Sequence, residues 1–345
     1  MHMADALVSP AVGGAMWAAS AGLIGYCSRK VKKELDNGKV PLMGVLGAFI
    51  FAAQMINFSI PATGSSGHLG GGMILAILLG PYAAFLTIAS VLTVQALFFA
   101  DGGLLALGCN IFNLGFFPCF IAYPLIYKKI AGYGTTPGRI VTGALLASVF
   151  GLQLGALGVV LQTVLSGITE LPFNSFILLM QPIHLAIGLV EGVATAAVVL
   201  FIWKSRPEIL EKTAAAVPLG GIPLKNIFVG ILTAALFIGG VFSWFASTHP
   251  DGLEWSMAKT SGSEELRISE TGLQGSLSRV QDKISFLPDY GFKNTAEPED
   301  QEASSWPAVD AGTSLSGLVG GALTLMMVVL IGFLIKKLNR LKAEG

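Results

Sequence analysis

Charge is what this chain has least of. Of its 345 residues only 12% are Asp, Glu, Lys or Arg, against about 25% in soluble domains. That excludes an ordinary soluble fold. Acidic and basic residues balance at 21 each, which excludes the strongly basic surface of a nucleic-acid binder. There are only three cysteines, Cys27, Cys109 and Cys119, in or beside apolar runs and without metal-type spacing. They read as packing residues rather than a disulfide frame or a zinc site. The pattern G-x-x-x-x-G-K-[ST] is missing, so ATP hydrolysis by a P-loop is excluded. G-x-S-x-G and H-E-x-x-H are missing too, which leaves a hydrolase built on His68 or His184 with Asp101 or Glu191 without a motif to rest on. No basic residue precedes Arg29. The opening MHMADALVSP therefore lacks the basic n-region of a cleavable signal, and residues 11–28 read as a retained span.

What is present is apolar. Hydrophobic residues make up 53% of the chain, alongside 43 glycines and 16 prolines, and mean hydropathy is +0.71. Membrane helices tolerate that much Gly and Pro. The expected fold is an all-α, polytopic membrane helical bundle in the cell membrane. A crossing needs roughly 20 apolar residues. Candidates are 11–28, 41–58, 69–80, 81–100, 103–127, 139–165, 176–203, 225–246 and 313–335. The third is short and runs into Gly80-Pro81, so 69–100 is either one bent element or two spans. Counting two gives about nine crossings, seven plus two. With the N-terminus outside and the C-terminus inside, sixteen of the 21 basic residues fall in inside loops or at inner span ends. The other five lie in one long loop, and long loops cross largely regardless of charge.

The chain divides into residues 1–203, a charged inside linker at 204–224, and residues 225–345 with two spans around an outside segment, 247–311. That segment carries twelve acids against five bases, including EPEDQE at 297–302. Its composition reads as a partly disordered solvated loop, with a docking or metal-attracting segment as the functional alternative.

Only four histidines exist: His2, His68, His184 and His249. An amino terminus followed by His is a chelator. The Met1 amine, the His2 backbone nitrogen and His2 Nδ1 close a five- and a six-membered ring around one ion. Ni(II) and Cu(II) favour such planar nitrogen sites. A fourth corner stays open. His68 sits in PATGSSGHLGGGM at 61–73, on the same side as His2, where glycines permit a tight loop.

Four stretches together resemble the CbiM/NikM family: the N-terminal His2, GSSGHLGGG, DGGLLALGCNIFN at 101–113 and PIHLAIGLVEG at 182–192. These are substrate-binding membrane components of cobalt/nickel energy-coupling factor transporters. HPDGLEWS at 249–256, with the acidic loop and last span, resembles the NikN/PDGLE component. The resemblance covers nearly the whole chain. It implies a transporter component rather than an enzyme, with Ni(II) or Co(II) as bound substrate and no cofactor. It implies metal ligands at Met1, His2 and His68, and as partners two cytoplasmic ATPase subunits and a transmembrane coupling subunit. Relatives commonly begin M-H-I-P-D-G; this chain keeps Met1, His2 and Asp5 but has Met3, Ala4 and Ala6. The alternative is a metal channel or secondary carrier that works without an ATPase.

Asn57, Asn110 and Asn113 are candidates to orient His68 or line the pocket, since metal-bound histidines donate their second N–H; helix packing is the other reading. His184 and Glu191 are seven residues apart and share a helix face, which suggests a structural polar pair. Met43 and Met73 read as core filler and His249 as incidental. A planar nitrogen set leans toward nickel. Protons compete with metal, so affinity should decline below about pH 6, near the ordinary imidazole pKa.

Overall fold

The computed structural model describes residues 2–132, 136–264, 266, 272–293 and 306–344. Its helices are α1 (Pro10–Lys30), α2 (Lys39–Gln54), α3 (Gly72–Leu79), α4 (Pro81–Phe98), α5 (Leu107–Ile111), α6 (Lys128–Ala131), α7 (Pro137–Ser166), α8 (Phe173–Ser205), α9 (Pro207–Ala214), α10 (Lys225–Gly240), α11 (Gly252–Ser261), α12 (Gly272–Ile284) and α13 (Ala311–Glu344). Between α5 and α6 the chain winds as a wider π-helix, so Leu107–Ala131 is one continuous rod. The fold is nearly, not wholly, α. Strands β1 (Phe58–Ile60) and β2 (Ser65–Gly67) pair antiparallel, with Phe58 opposite Gly67 and Ile60 opposite Ser65. The glycine-rich stretch expected as a tight loop thus begins as a hairpin.

Among the described residues five helices are long and apolar enough to cross a membrane: Pro81–Phe98, Leu107–Ala131, Pro137–Ser166, Phe173–Ser205 and Ala311–Leu338. The chain is a multi-pass membrane protein. Helices α2 and α10 are apolar but only 16 residues long. The expected crossing at 69–80 is a different object. Helix α3 has eight residues, about 12 Å at 1.5 Å per residue, and every one is buried. Gly80 breaks it at φ 78°, ψ 162°, a conformation that glycine alone takes readily. Pro81 then opens α4 at the position where a missing N–H costs nothing. The non-helical stretch 68–71 is enclosed by protein, with His68, Gly70 and Gly71 buried.

Close helix packing rests on small residues, as in lipid generally. Gly188 and Gly192 of α8 lie against Val149 and Leu145 of α7. Gly239 of α10 meets Gly317 of α13 backbone to backbone, and Gly320 of α13 sits on Phe51 of α2. The last two long helices are therefore bound to the rest of the bundle. Leu165, Leu178, Val193, Leu236, Met326 and Leu330 project outward and exposed, as lipid-facing side chains do.

The two ends of the bundle differ. At one end the basic loops meet. Buried Lys39 pairs with Glu34 at 2.6 Å, Asp36 accepts from Gly220 N at 2.6 Å, and Lys336 contacts Asn37. The charged stretch 204–224 is here a folded piece: α9 packs on α3, and Thr213 Oγ1 donates to Leu78 O at 3.1 Å. At the other end lie His2, His68, Asp101 and the acidic segment. Where it is described, that segment is folded rather than a solvated loop, with helices at Gly252–Ser261 and Gly272–Ile284. Gln281 of α12 donates to Ala96 O and Gly102 O, both at 2.8 Å. Gln274 donates to Asp5 O and Val8 O at 2.8 and 2.9 Å. The run EPEDQE at 297–302 lies outside the described residues.

Candidate metal centre

The N-terminal segment threads inward rather than trailing away. Met3, Leu7 and Val8 are buried. Asn110 grips the Met3 main chain twice: its Oδ1 accepts from Met3 N at 2.8 Å and its Nδ2 donates to Met3 O at 3.2 Å. Gly103 N donates to Met3 O at 3.0 Å, and Asp5 Oδ1 accepts from Ala106 N at 2.9 Å. Glycine is required under this segment. Gly102 has φ 80°, and a Cβ on Gly103 would overlap the Asp5 carboxylate. The DGG turn is thus the seat on which residues 2–8 rest, and Asp5 is the bolt.

That seat delivers His2 to His68. The two imidazoles stack with centroids 4.9 Å apart and planes 6° from parallel. His2 Nδ1 lies 2.9 Å from Asp101 Oδ1. His2 Nε2 is buried without a hydrogen-bond partner among the described residues. His68 follows β2 directly, 8% exposed, with Nδ1 3.1 Å from Leu69 O. Met1, the remaining expected ligand, lies outside the described residues.

The loop around His68 is clamped from three helices. Glu191 of α8 accepts from Gly70 N at 2.9 Å and Gly71 N at 3.1 Å. Gln54 of α2 donates to Gly70 O at 2.9 Å, and Gln95 of α4 donates to Gln54 Oε1 at 2.9 Å. His184 and Glu191 are therefore not each other's partner. His184 Nδ1 lies 2.8 Å from Met180 O, and its ring lines a small cavity shared with His68 and Asp251.

The fourth wall is the HPDGLE turn. Ser66 N donates to Pro250 O at 2.8 Å, and Ser66 Oγ to His249 O at 2.8 Å. Trp255 Nε1 donates to Thr63 O at 3.0 Å. Asp251 Oδ1 accepts from Leu253 N and Glu254 N, while Glu254 Oε2 accepts from Asp251 N, a reciprocal cap on α11. Its other oxygen, Oδ2, stands 4.0 Å from His68 Nε2. Gly252 permits this approach, since a Cβ there would overlap Ile183 of α8.

Burial, with His2 alongside, pushes the His68 imidazole down to about 3. His68 is therefore neutral at ordinary pH, the form in which imidazole binds metal. The expected loss of affinity near pH 6 does not come from this residue. Burial alone would raise Asp101, yet the His2 imidazole and the Tyr290 hydroxyl, 2.5 Å away, hold it below the usual carboxylate range. Asp251 is likewise held low against burial, by His68 and the Glu254 amide among others.

Residues 2–209 match the CbiM family model, described as the cobalt uptake substrate-specific transmembrane region. This chain belongs to the CbiM family. Residues 225–337 match the PDGLE domain. The fused nickel transport protein NikMN of Rhodobacter capsulatus is 30% identical over 84% of this chain and 88% of its own. A protein of Archaeoglobus fulgidus that carries the NikMN designation as well is 30% identical over 99% of both chains. Among solved structures, the crystal structure of a transition metal transporter is 33% identical, with a TM-score of 0.53 over 61% of this chain and 97% of that one.

In this CbiM-family fold His2 and His68 come together, and Asn110 supports the segment that carries His2. Asn113 instead pairs with Gln162, donating at 2.7 Å and accepting at 3.1 Å. Asn57 lies at the base of the hairpin, its carbonyl accepting from Ser247 N at 2.7 Å. Met43 and Met73 are buried in the core, and the His249 side chain is exposed. The cysteines are free and buried. Sequence reasoning missed Asp251, paired Glu191 with His184 rather than with the glycine loop, and weighed Asp101 only for hydrolysis. The D-x-x-E spacing of the PDGLE turn announces a helix cap; nothing local announces that the capping carboxylate also faces His68.

Proposed function

We propose that this chain is the substrate-specific component of an ATP-driven energy-coupling factor importer for Ni(II) or Co(II), with Met1, His2 and His68 as the metal ligands. The observation that carries the reading is the buried His2–His68 contact, made by an N-terminal segment bolted to the DGG turn. In this reading the His2 backbone nitrogen and Nδ1 complete the chelate begun by the Met1 amine. Nδ1 faces Asp101 in the metal-free state. For Nδ1 to take the ion, it must first give up the proton it shares with Asp101, and the ring must turn so that Nε2, reprotonated from that carboxylate, faces it. Asp101 then serves as the carboxylate behind a metal-bound histidine, fixing its tautomer.

The histidine end faces outside and the basic loops inside, in keeping with the charge bias of membrane topology. About nine passages of the chain, seven plus two, join the two ends, with α3 as an incomplete one. The boundaries at 203 and 225 separate the metal-binding half from the NikN-like half. Without a P-loop of its own, the chain takes two cytoplasmic ATPase subunits and a transmembrane coupling subunit as partners. Titration calorimetry of purified protein with Ni(II) tests the ligand set. His2→Ala or His68→Ala abolishes tight binding, and one extra residue before Met1 weakens it sharply. Unchanged affinity in both histidine variants overturns the assignment.

A further inference from the structure

We propose that the cavity between the N-terminal segment and the acidic segment of the C-terminal half is an access vestibule, which draws a hydrated divalent cation to the histidine site. The inference rests on the metal-uptake reading above and gives the C-terminal half a task in it.

The cavity, about 270 Å³, has His2 in its wall. Asp5 and Asp101 line its inner part; Asp251, Glu254, Glu264 and Asp289 line the side built by residues 225–345. No Lys or Arg lines it among the described residues. An ion with six waters, at about 30 Å³ each, needs a volume of this order. Four of the six carboxylates come from one half and two from the other, so the vestibule exists only where the halves meet.

Acidic side chains alone are common on any surface. A second observation singles this place out. Asp5 is 2% exposed. Its Oδ1 is taken by Ala106 N, yet its Oδ2 is buried and has no partner among the described residues. His2 Nε2, in the same wall, is in the same condition. A buried acceptor left bare costs free energy, and two of them beside one cavity suit a cation. A cleft of one sign with low-dielectric walls focuses the field and speeds capture of the opposite charge by 10-fold or more. Glu264 and Asp289 are exposed at the rim. They contribute field without touching the histidines.

The test is stopped-flow association of Ni(II) with the purified full chain, read by a metal-indicator dye. The comparison is wild type against E264Q/D289N at about 0.01 M and about 1 M salt, where the screening length is about 30 Å and about 3 Å. Asn suits position 289, whose φ is 49°, because Asn tolerates the left-handed region. At low salt the variant associates about 3- to 10-fold more slowly, with an unchanged dissociation rate; at high salt the two proteins converge. A charge reversal, E264K, deepens the loss at low salt. Wild-type association that ignores salt and all these substitutions overturns the vestibule while leaving the uptake reading intact. Wild-type protein that takes up no Ni(II) overturns both.

Discussion

An imidazole serves a metal only while its lone pair is free of a proton. His68 meets that condition through burial, which holds its pKa to about 3. The same burial makes it a liability in acid. Unfolded, the side chain takes up its proton near 6.5. Between about 6.5 and about 3 the unfolded chain binds the extra proton, so stability falls as pH drops, by about 1.4 kcal/mol per unit at most. The midpoint of thermal unfolding of metal-free protein should therefore decline from pH 7 to pH 5, and the decline should shrink in His68→Leu. An identical pH response in the two proteins would contradict the buried neutral state. At this scale the sequence was legible in part. His2 announces itself by standing beside the terminal amine, and His68 by its glycines. Asp101 and Asp251 do not, because each acquires its meaning from a histidine far away in sequence.

At the scale of elements, glycine sets how closely pieces meet. Helix α11 reaches α8 through Gly252, whose hydrogens lie against Ile183, with His184 Cε1 3.1 Å from the Cβ position. Gly252→Val should push α11 off α8 and lower stability by about 1–3 kcal/mol, as overpacking does. Denaturant titration checks this. Nickel affinity should fall in the same variant, since Asp251 starts that helix; unaltered stability and affinity together would refute the docking. The expected crossing at 69–80 failed for a related reason. Hydropathy marks residues as apolar but does not say whether lipid or protein covers them, and α3 is covered by protein on every side. The hairpin at 58–67 escaped because its strands are three residues each and the buried strand, β2, takes a main-chain partner from distant Pro250.

For the whole molecule, the two family halves are physically one body at the histidine end. The PDGLE turn closes the His68 loop, and α13 packs on α2 through Gly320. If uptake is ATP-driven as proposed, co-production with two ATPase subunits and a coupling subunit should raise Ni(II) uptake several-fold in cells. Replacing the P-loop lysine of the ATPases should remove that gain. Uptake indifferent to the ATPases would favour a channel or secondary carrier instead.

The low charge, the apolar runs, the bias of basic residues and the four motifs were enough to establish a helical membrane protein of this family with a fused second part. They sufficed because lipid acts on composition, and composition is local. Tertiary structure alone decided which carboxylates surround the histidines, that Glu191 holds the glycine loop, and that the described parts of the acidic segment pack against it and the N-terminal segment. Those pairings join residues far apart in sequence, such as Glu191 with Gly70 and Asp251 with His68, and no periodicity within a helix or strand encodes them.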